Sequence, residues 1–240
     1  MRLREFMIGT VFMSIALVSA KAIVPPVRDD AVAEPDASMP LPVEPSPLIA
    51  RDKVLGSAYY DTLSILSTSN ACSDFFGGSA ASVDVFNKFM GRVRKDYSSA
   101  AIGMRMTGAT TNVFNATTNS QYRLFDRVLL NTNGAFYRRK LSNVDHDLPG
   151  VGSFKPNTKE VRVLMLLHEL GHVMRGKDGN WLLPDDGQDE NLSRRNSRKI
   201  EEVCGDEIKS LGKAKPANLA EHKQPANSIA PASNLLKAVE

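Results

Sequence analysis

Two cysteines, Cys72 and Cys204, are all that 240 residues contain, which excludes both a disulfide-dense miniprotein and a four-cysteine zinc site. An excess of one charge is also lacking. The 30 Lys and Arg stand against 27 Asp and Glu, and a net +3 is too even to imply a nucleic-acid binder. The one basic run, Arg194 to Lys199, has no interleaved aromatic residues, and acidic residues precede it, which describes a solvated surface. Past Val18 no segment is long and apolar enough to span a bilayer. What is there, 42% apolar and 24% charged residues, is ordinary for a globular domain and excludes a disordered or collagen-like chain.

Residues 1–22 read as a secretory signal peptide: a basic start at Arg2 and Arg4, an apolar run from Phe6 to Val18, then the small residues Ser19, Ala20 and Ala22. The thirteen-residue run is short for a transmembrane helix. A secreted or periplasmic location and no membrane span after cleavage are therefore expected. In an exported chain Cys72 and Cys204 are expected to form one disulfide, closing a loop of about 130 residues. Residues 23–50 form a Pro-rich linker, with seven prolines among the 23 residues from Pro25 to Pro47. Residues 213–240, rich in Ala, Pro, Asn and Lys, read as a disordered tail. One domain over 51–212 remains, long enough for a single core.

Within it, Val83, Phe86, Phe89, Met90 and Val93 keep helical spacing. Ile102, Met104 and Met106 alternate as in a strand. Tyr122–Leu130, the turn Asn131-Thr132-Asn133-Gly134 and Ala135–Arg139 predict a hairpin on the strength of the Asn-Gly pair, with Tyr137 read as packing. A second helix is expected from an Asn157 cap, with Glu160 at the capping-box position, through Val161, Leu164, Leu167, Leu170 and Met174 to a stop at Gly176. A last helix is expected from Ser193 through Ile200, Val203, Ile208 and Leu211. The fold class is α+β with a small sheet, a central helix and a C-terminal helix.

The second helix contains His168-Glu169-Leu170-Gly171-His172, an H-E-x-x-H motif. Four residues advance a helix by about 6 Å and turn it by about 400°, so both imidazoles leave one face, one turn apart, able to share a Zn²⁺ ion. Glu169 lies about 100° round the helix, off the ligand stripe but near enough to act as general base on water that the metal activates. Shuffling four His and eleven Glu over this length yields the motif about 0.003 times. The flanking Val163-Leu164-Met165-Leu166-Leu167 makes the helix a buried one, in which two imidazoles and a carboxylate need partners that a metal supplies. His146 and His222 have no ligand-type neighbours at useful spacing.

At these residues the chain resembles the zincin metallopeptidases. A wider likeness joins Cys72-Ser73-Asp74-Phe75-Phe76-Gly77, the motif helix, Pro184-Asp185-Asp186-Gly187 and Leu192-Ser193 through Asn196, Ile200 and Cys204. This set is similar to a group of uncharacterised secreted bacterial H-E-x-x-H proteins. The resemblance implies a zincin-like single domain and zinc-dependent hydrolysis, with a peptide or protein as substrate, and says little about which one. An edge strand of the hairpin could seat an extended peptide. The competing reading keeps the zinc and drops the catalysis, as in a zinc-stabilised envelope or binding protein.

A zincin needs a third protein ligand. Asp178 stands at the terminal position of the metzincin pattern, although Arg175 replaces that pattern's glycine. Glu201 would serve in the gluzincin manner, since it flanks the buried face of its helix while Glu202 points away. Asp186, in a loop bracketed by Pro184 and Gly187, is the favoured ligand, partly from that turn geometry and partly because the resemblance includes this segment. Asp185 is its nearest substitute.

Overall fold

A computed structural model of the chain describes residues 46–98, 103–141, 146–211 and 213. The expected signal peptide, the linker up to position 45, Ile102, His222 and the tail from position 214 lie outside them. Four helices come first: α1 (Pro47–Arg51), α2 (Lys53–Ser67), α3 (Ala71–Phe75) and α4 (Ser79–Met90). Strands β1 (Val93–Asp96), β2 (Met104–Asn115) and β3 (Ser120–Asn131) follow, and α5 (Lys159–Val173) and α6 (Glu190–Leu211) close the order. The class is mixed α and β. Among the described residues one sheet runs β1-β3-β2, with β1 parallel and β2 antiparallel to β3.

The described residues begin inside the segment expected to be linker, and positions 47–50 of it are helical. Pro47 suits a first helical turn, where no backbone donor is needed, and Ile49 is 3% exposed beneath the core. Helix α2 has no counterpart among the expected elements, yet its causes are local. Asp52 Oδ1 accepts from the Val54 and Leu55 N–H groups, and Leu55, Ala58, Tyr59, Thr62, Ile65 and Leu66 form a buried stripe at helical spacing.

Asp52 also ties three elements together. Its Oδ2 receives Lys95 Nζ of β1 at 2.7 Å and the Tyr137 hydroxyl at 2.7 Å, on a side chain 7% exposed. Burial alone would raise this carboxyl, but hydrogen bonds from Lys95, Tyr137 and the Leu55 N–H outweigh it and hold the group below its ordinary value. Replacing Asp52 with Ala is expected to cost about 2–3 kcal/mol at pH 7, a helix cap plus an unpaired part-buried hydroxyl. Because the folded pKa is depressed, the ionised form favours folding. That contribution is full above about pH 4 and is lost as pH falls through the folded value. Urea unfolding of wild type and variant should therefore converge below pH 4, and a gap that stays constant with pH would refute this account.

The expected hairpin is displaced. The partner of β3 is β2, joined through Ala116–Asn119, where Asn115 Oδ1 accepts from the Thr117 N–H and Asn119 takes φ +48°. The Asn131–Gly134 segment does turn, but Ala135–Tyr137 coils onward instead of pairing back, with the Tyr137 and Arg138 N–H groups bonded to the Gly134 carbonyl. Tyr137 is drawn to Asp52, a contact 85 residues away in sequence that a local turn rule cannot contain. Gly108, at φ +91°, marks an irregularity in β2 between Thr107 and Thr110, beside which Asp126 Oδ2 accepts from the Ala109 N–H.

Helix α5 is the central element, with eleven of its fifteen residues buried, including Leu164, Leu166, Leu167 and Leu170. Each such leucine contributes roughly 1.5–3 kcal/mol by leaving water. Its cap is Thr158, whose Oγ1 accepts from the Val161 N–H, one residue later than expected; Asn157 instead turns the entering chain at φ +62°. It ends at Val173, before Gly176, because Met174 and Arg175 become extended against the start of β3, the Arg175 N–H donating to the Gln121 carbonyl. Helix α6 starts at Glu190, three residues before Ser193, since Asp189 Oδ1 accepts from the Asn191 and Leu192 N–H groups. Cys72 of α3 and Cys204 of α6 are joined in a disulfide, both fully buried.

Candidate metal centre

Three parts of the chain meet over one turn of α5. The helix contributes His168 and His172, both buried. The loop after it folds back because the Leu182 N–H donates to the Met174 carbonyl and the Leu183 N–H to the Gly171 carbonyl. That second bond requires close approach. A Cβ on Gly171 would stand 2.6 Å from Leu183 Cδ1, so the glycine inside the motif is what lets the loop lie on the helix. Leu183 is fully buried there and delivers Asp186 three residues on. The first turns of α6 complete the ring with Asn196 and Ser197, both buried.

His168 Nε2 lies 3.0 Å from His172 Nε2 and 3.0 Å from Asp186 Oδ2, and His172 Nε2 lies 3.5 Å from the same oxygen. A triangle with these sides has a circumscribed radius of about 1.9 Å, just inside zinc–ligand distances of roughly 2.0–2.2 Å. Its edges match the roughly 3.3 Å separating two ligands of a tetrahedral zinc ion. A cation slightly off the triangle's plane touches all three atoms and leaves a fourth position open. Three ligand-type atoms facing one another this closely either share ring protons or share a cation, and the residues present fit a divalent ion. Those three residues could hold a metal ion.

The orientation of these side chains is built in. Ser197 Oγ lies 3.0 Å from His168 Nδ1, and with the ring proton there Nε2 turns its lone pair to the centre. Asn196 Nδ2 donates to the Pro184 carbonyl at 3.0 Å and reaches Asp186 Oδ2 at 3.4 Å. Burial would raise the Asp186 carboxyl, but hydrogen bonds and charge from His168 and His172 overcome it and hold the group far below the usual carboxylate range. Burial would lower the His172 imidazole, yet Asp186, Glu169 and Asp185 together push it up. Glu169 is pushed up chiefly by burial, with His168 and His172 pulling the other way and Asp186 adding to the rise. No described residue hydrogen-bonds its carboxylate, which leaves that group free to handle a proton.

The other candidate ligands lie elsewhere. Asp178 is exposed and accepts from both the backbone and the side-chain amide of Asn180. Glu201 faces Ser153, accepting from its N–H at 2.9 Å and from its hydroxyl. Asp185 lies outside the triangle, with both its oxygens held by Arg123 of β3. His146 is exposed. Arg123, Asn196 and Ser197 were not expected at the site. The polar pair does leave a trace, since Asn196 and Ser197 sit one turn before Ile200 on the stripe that α6 buries. Arg123 leaves none, because a strand residue gives no sign of a partner 62 positions away.

Compared with protein-family models, curated proteins and solved structures, the chain matches none. No described helix is long and apolar enough to cross a membrane.

Proposed function

We propose that this chain is an exported zinc-dependent hydrolase, a metallopeptidase of the zincin type, with His168 Nε2, His172 Nε2 and Asp186 Oδ2 as ligands and Glu169 as general base. The observation that carries the reading is the three-atom face just described, together with Glu169, the next residue on the helix, whose carboxyl feels the charges of His168, His172 and Asp186. A zinc ion there supplies Lewis acidity and brings the pKa of water down towards neutrality. Glu169 Oε accepts the proton as water attacks a carbonyl carbon, and returns it to the leaving amine. Ser197 and Asn196 keep His168 and Asp186 in register during that exchange. The disulfide supports export, and β2, an outer strand of the sheet, supports an extended peptide as substrate.

Metal analysis tests the ligand set. Purified wild type should carry one zinc per chain, His168→Ala and Asp186→Ala should lose it, and Asp178→Ala and Glu201→Ala should keep it. Full zinc in Asp186→Ala would remove that residue from the site, and none in the wild type would end the proposal.

A further inference from the structure

The two ligand histidines are supported unequally. His168 Nδ1 has Ser197, whereas His172 Nδ1, on a side chain 2% exposed, has no hydrogen-bond partner. A buried imidazole nitrogen in this state is an anomaly that calls for a partner. The group facing it is Asp185, whose Oδ1 is 4.0 Å away. At 4.0 Å the gap lies between a direct hydrogen bond, about 1 Å shorter, and a bridge through one water, about 0.5 Å longer, and either route directs the His172 Nδ1–H at Asp185.

We propose, resting on the functional reading above, that Asp185 is a positioning residue, gripped by Arg123 so that it receives the Nδ1 proton of His172 and turns Nε2 of that ring to the metal. The grip is specific. Arg123 donates through Nη1 and Nη2 to both Asp185 oxygens and through Nε to the His172 carbonyl at 2.8 Å. One guanidinium therefore holds the backbone of the ligand and the carboxylate that faces its ring. Arg123 is itself fixed, 11% exposed and 4.3 Å from the Trp181 ring, with Phe125 beyond at 5.2 Å. Only a planar fork makes all three bonds at once, so lysine is no substitute. Asp185 is 64% exposed, and a carboxylate so placed would ordinarily rotate in solvent. Here Arg123 supplies the order that solvent exposure removes, and adjoining Asp185 and Asp186 divide the labour: one binds, the other aims a ring.

The experiment is zinc competition against a chromophoric chelator, with the melting temperature of each metal-free form and the histidine ring resonances of each loaded form recorded alongside. Asp185→Asn and Arg123→Lys are each expected to weaken zinc about 10–100-fold. The His172 Nδ1–H resonance should move in both variants while that of His168, held by Ser197, stays. The melting temperature of metal-free Asp185→Asn should change little, since that side chain is largely exposed, whereas metal-free Arg123→Lys should melt lower because a buried guanidinium loses its fork of bonds. Wild-type affinity in Asp185→Asn would overturn the inference alone, as would equal movement of both histidine resonances, which is what a loop anchor without an aiming role would produce. A wild type that binds no zinc would overturn the functional reading and this inference together.

Discussion

Glu169→Gln is expected to lower kcat/KM on a peptide or casein substrate by about 10²–10⁴-fold while leaving zinc bound, the loss that accompanies removal of a positioned general base. Glutamine keeps the shape and cannot take a proton. The substitution also removes a carboxyl that burial disfavours as a charge and that no described residue hydrogen-bonds, so the melting temperature should not fall. Loss of rate with zinc and stability intact separates catalysis from architecture. Cleavage that survives the substitution would rule out Glu169 as base, and a zinc-loaded wild type without cleavage would leave the zinc-stabilised binding protein as the better account.

The second large effect concerns the Cys72–Cys204 bridge. It spans 132 positions, and every residue of the candidate centre, from Arg123 to Ser197, lies inside the loop it closes. By the loop-entropy model such a bridge stabilises by up to about 5 kcal/mol, with measured losses typically 2–5 kcal/mol. Urea unfolding of a Cys72→Ala/Cys204→Ala double variant, or of the reduced wild type, should show a deficit in that range. Zinc at a fixed excess should stabilise reduced and oxidised forms by similar amounts, since ligand linkage depends on affinity and not on the bridge. A deficit under 1 kcal/mol would show that packing of α3 on α6 holds these elements unaided.

What could be read from the chain was local. The course of α5 follows from apolar spacing and its nearby caps, and the motif puts two imidazoles on one face by helical geometry alone. Asp186 was singled out partly because turn residues project a carboxylate and partly because the resemblance includes its segment, and the fold brings its Oδ2 within 3.0 Å of His168 Nε2. Contacts remote in sequence were not legible: Tyr137 leaves the expected hairpin for Asp52, and Arg123 reaches Asp185 across 62 positions. The β2–β3 turn went unread because Ala116-Thr117-Thr118-Asn119 lacks glycine, while the nearby Asn133-Gly134 carries the stronger signal. Helix α2 was legible in principle, since the Asp52 cap and the stripe from Leu55 to Leu66 are local features; a proline-rich approach obscured them.

The two unspecified letters of H-E-x-x-H are not alike in this chain. Leu170 could give way to another bulky hydrocarbon, whereas a methyl group at position 171 would stand 2.6 Å from Leu183 Cδ1, so the buried Leu183 side chain, which seats the loop leading to Asp186, would have to move. Five consecutive residues thus encode two imidazoles on one helix face, a carboxylate between them in sequence and the seat on which the loop leading to Asp186 comes to rest.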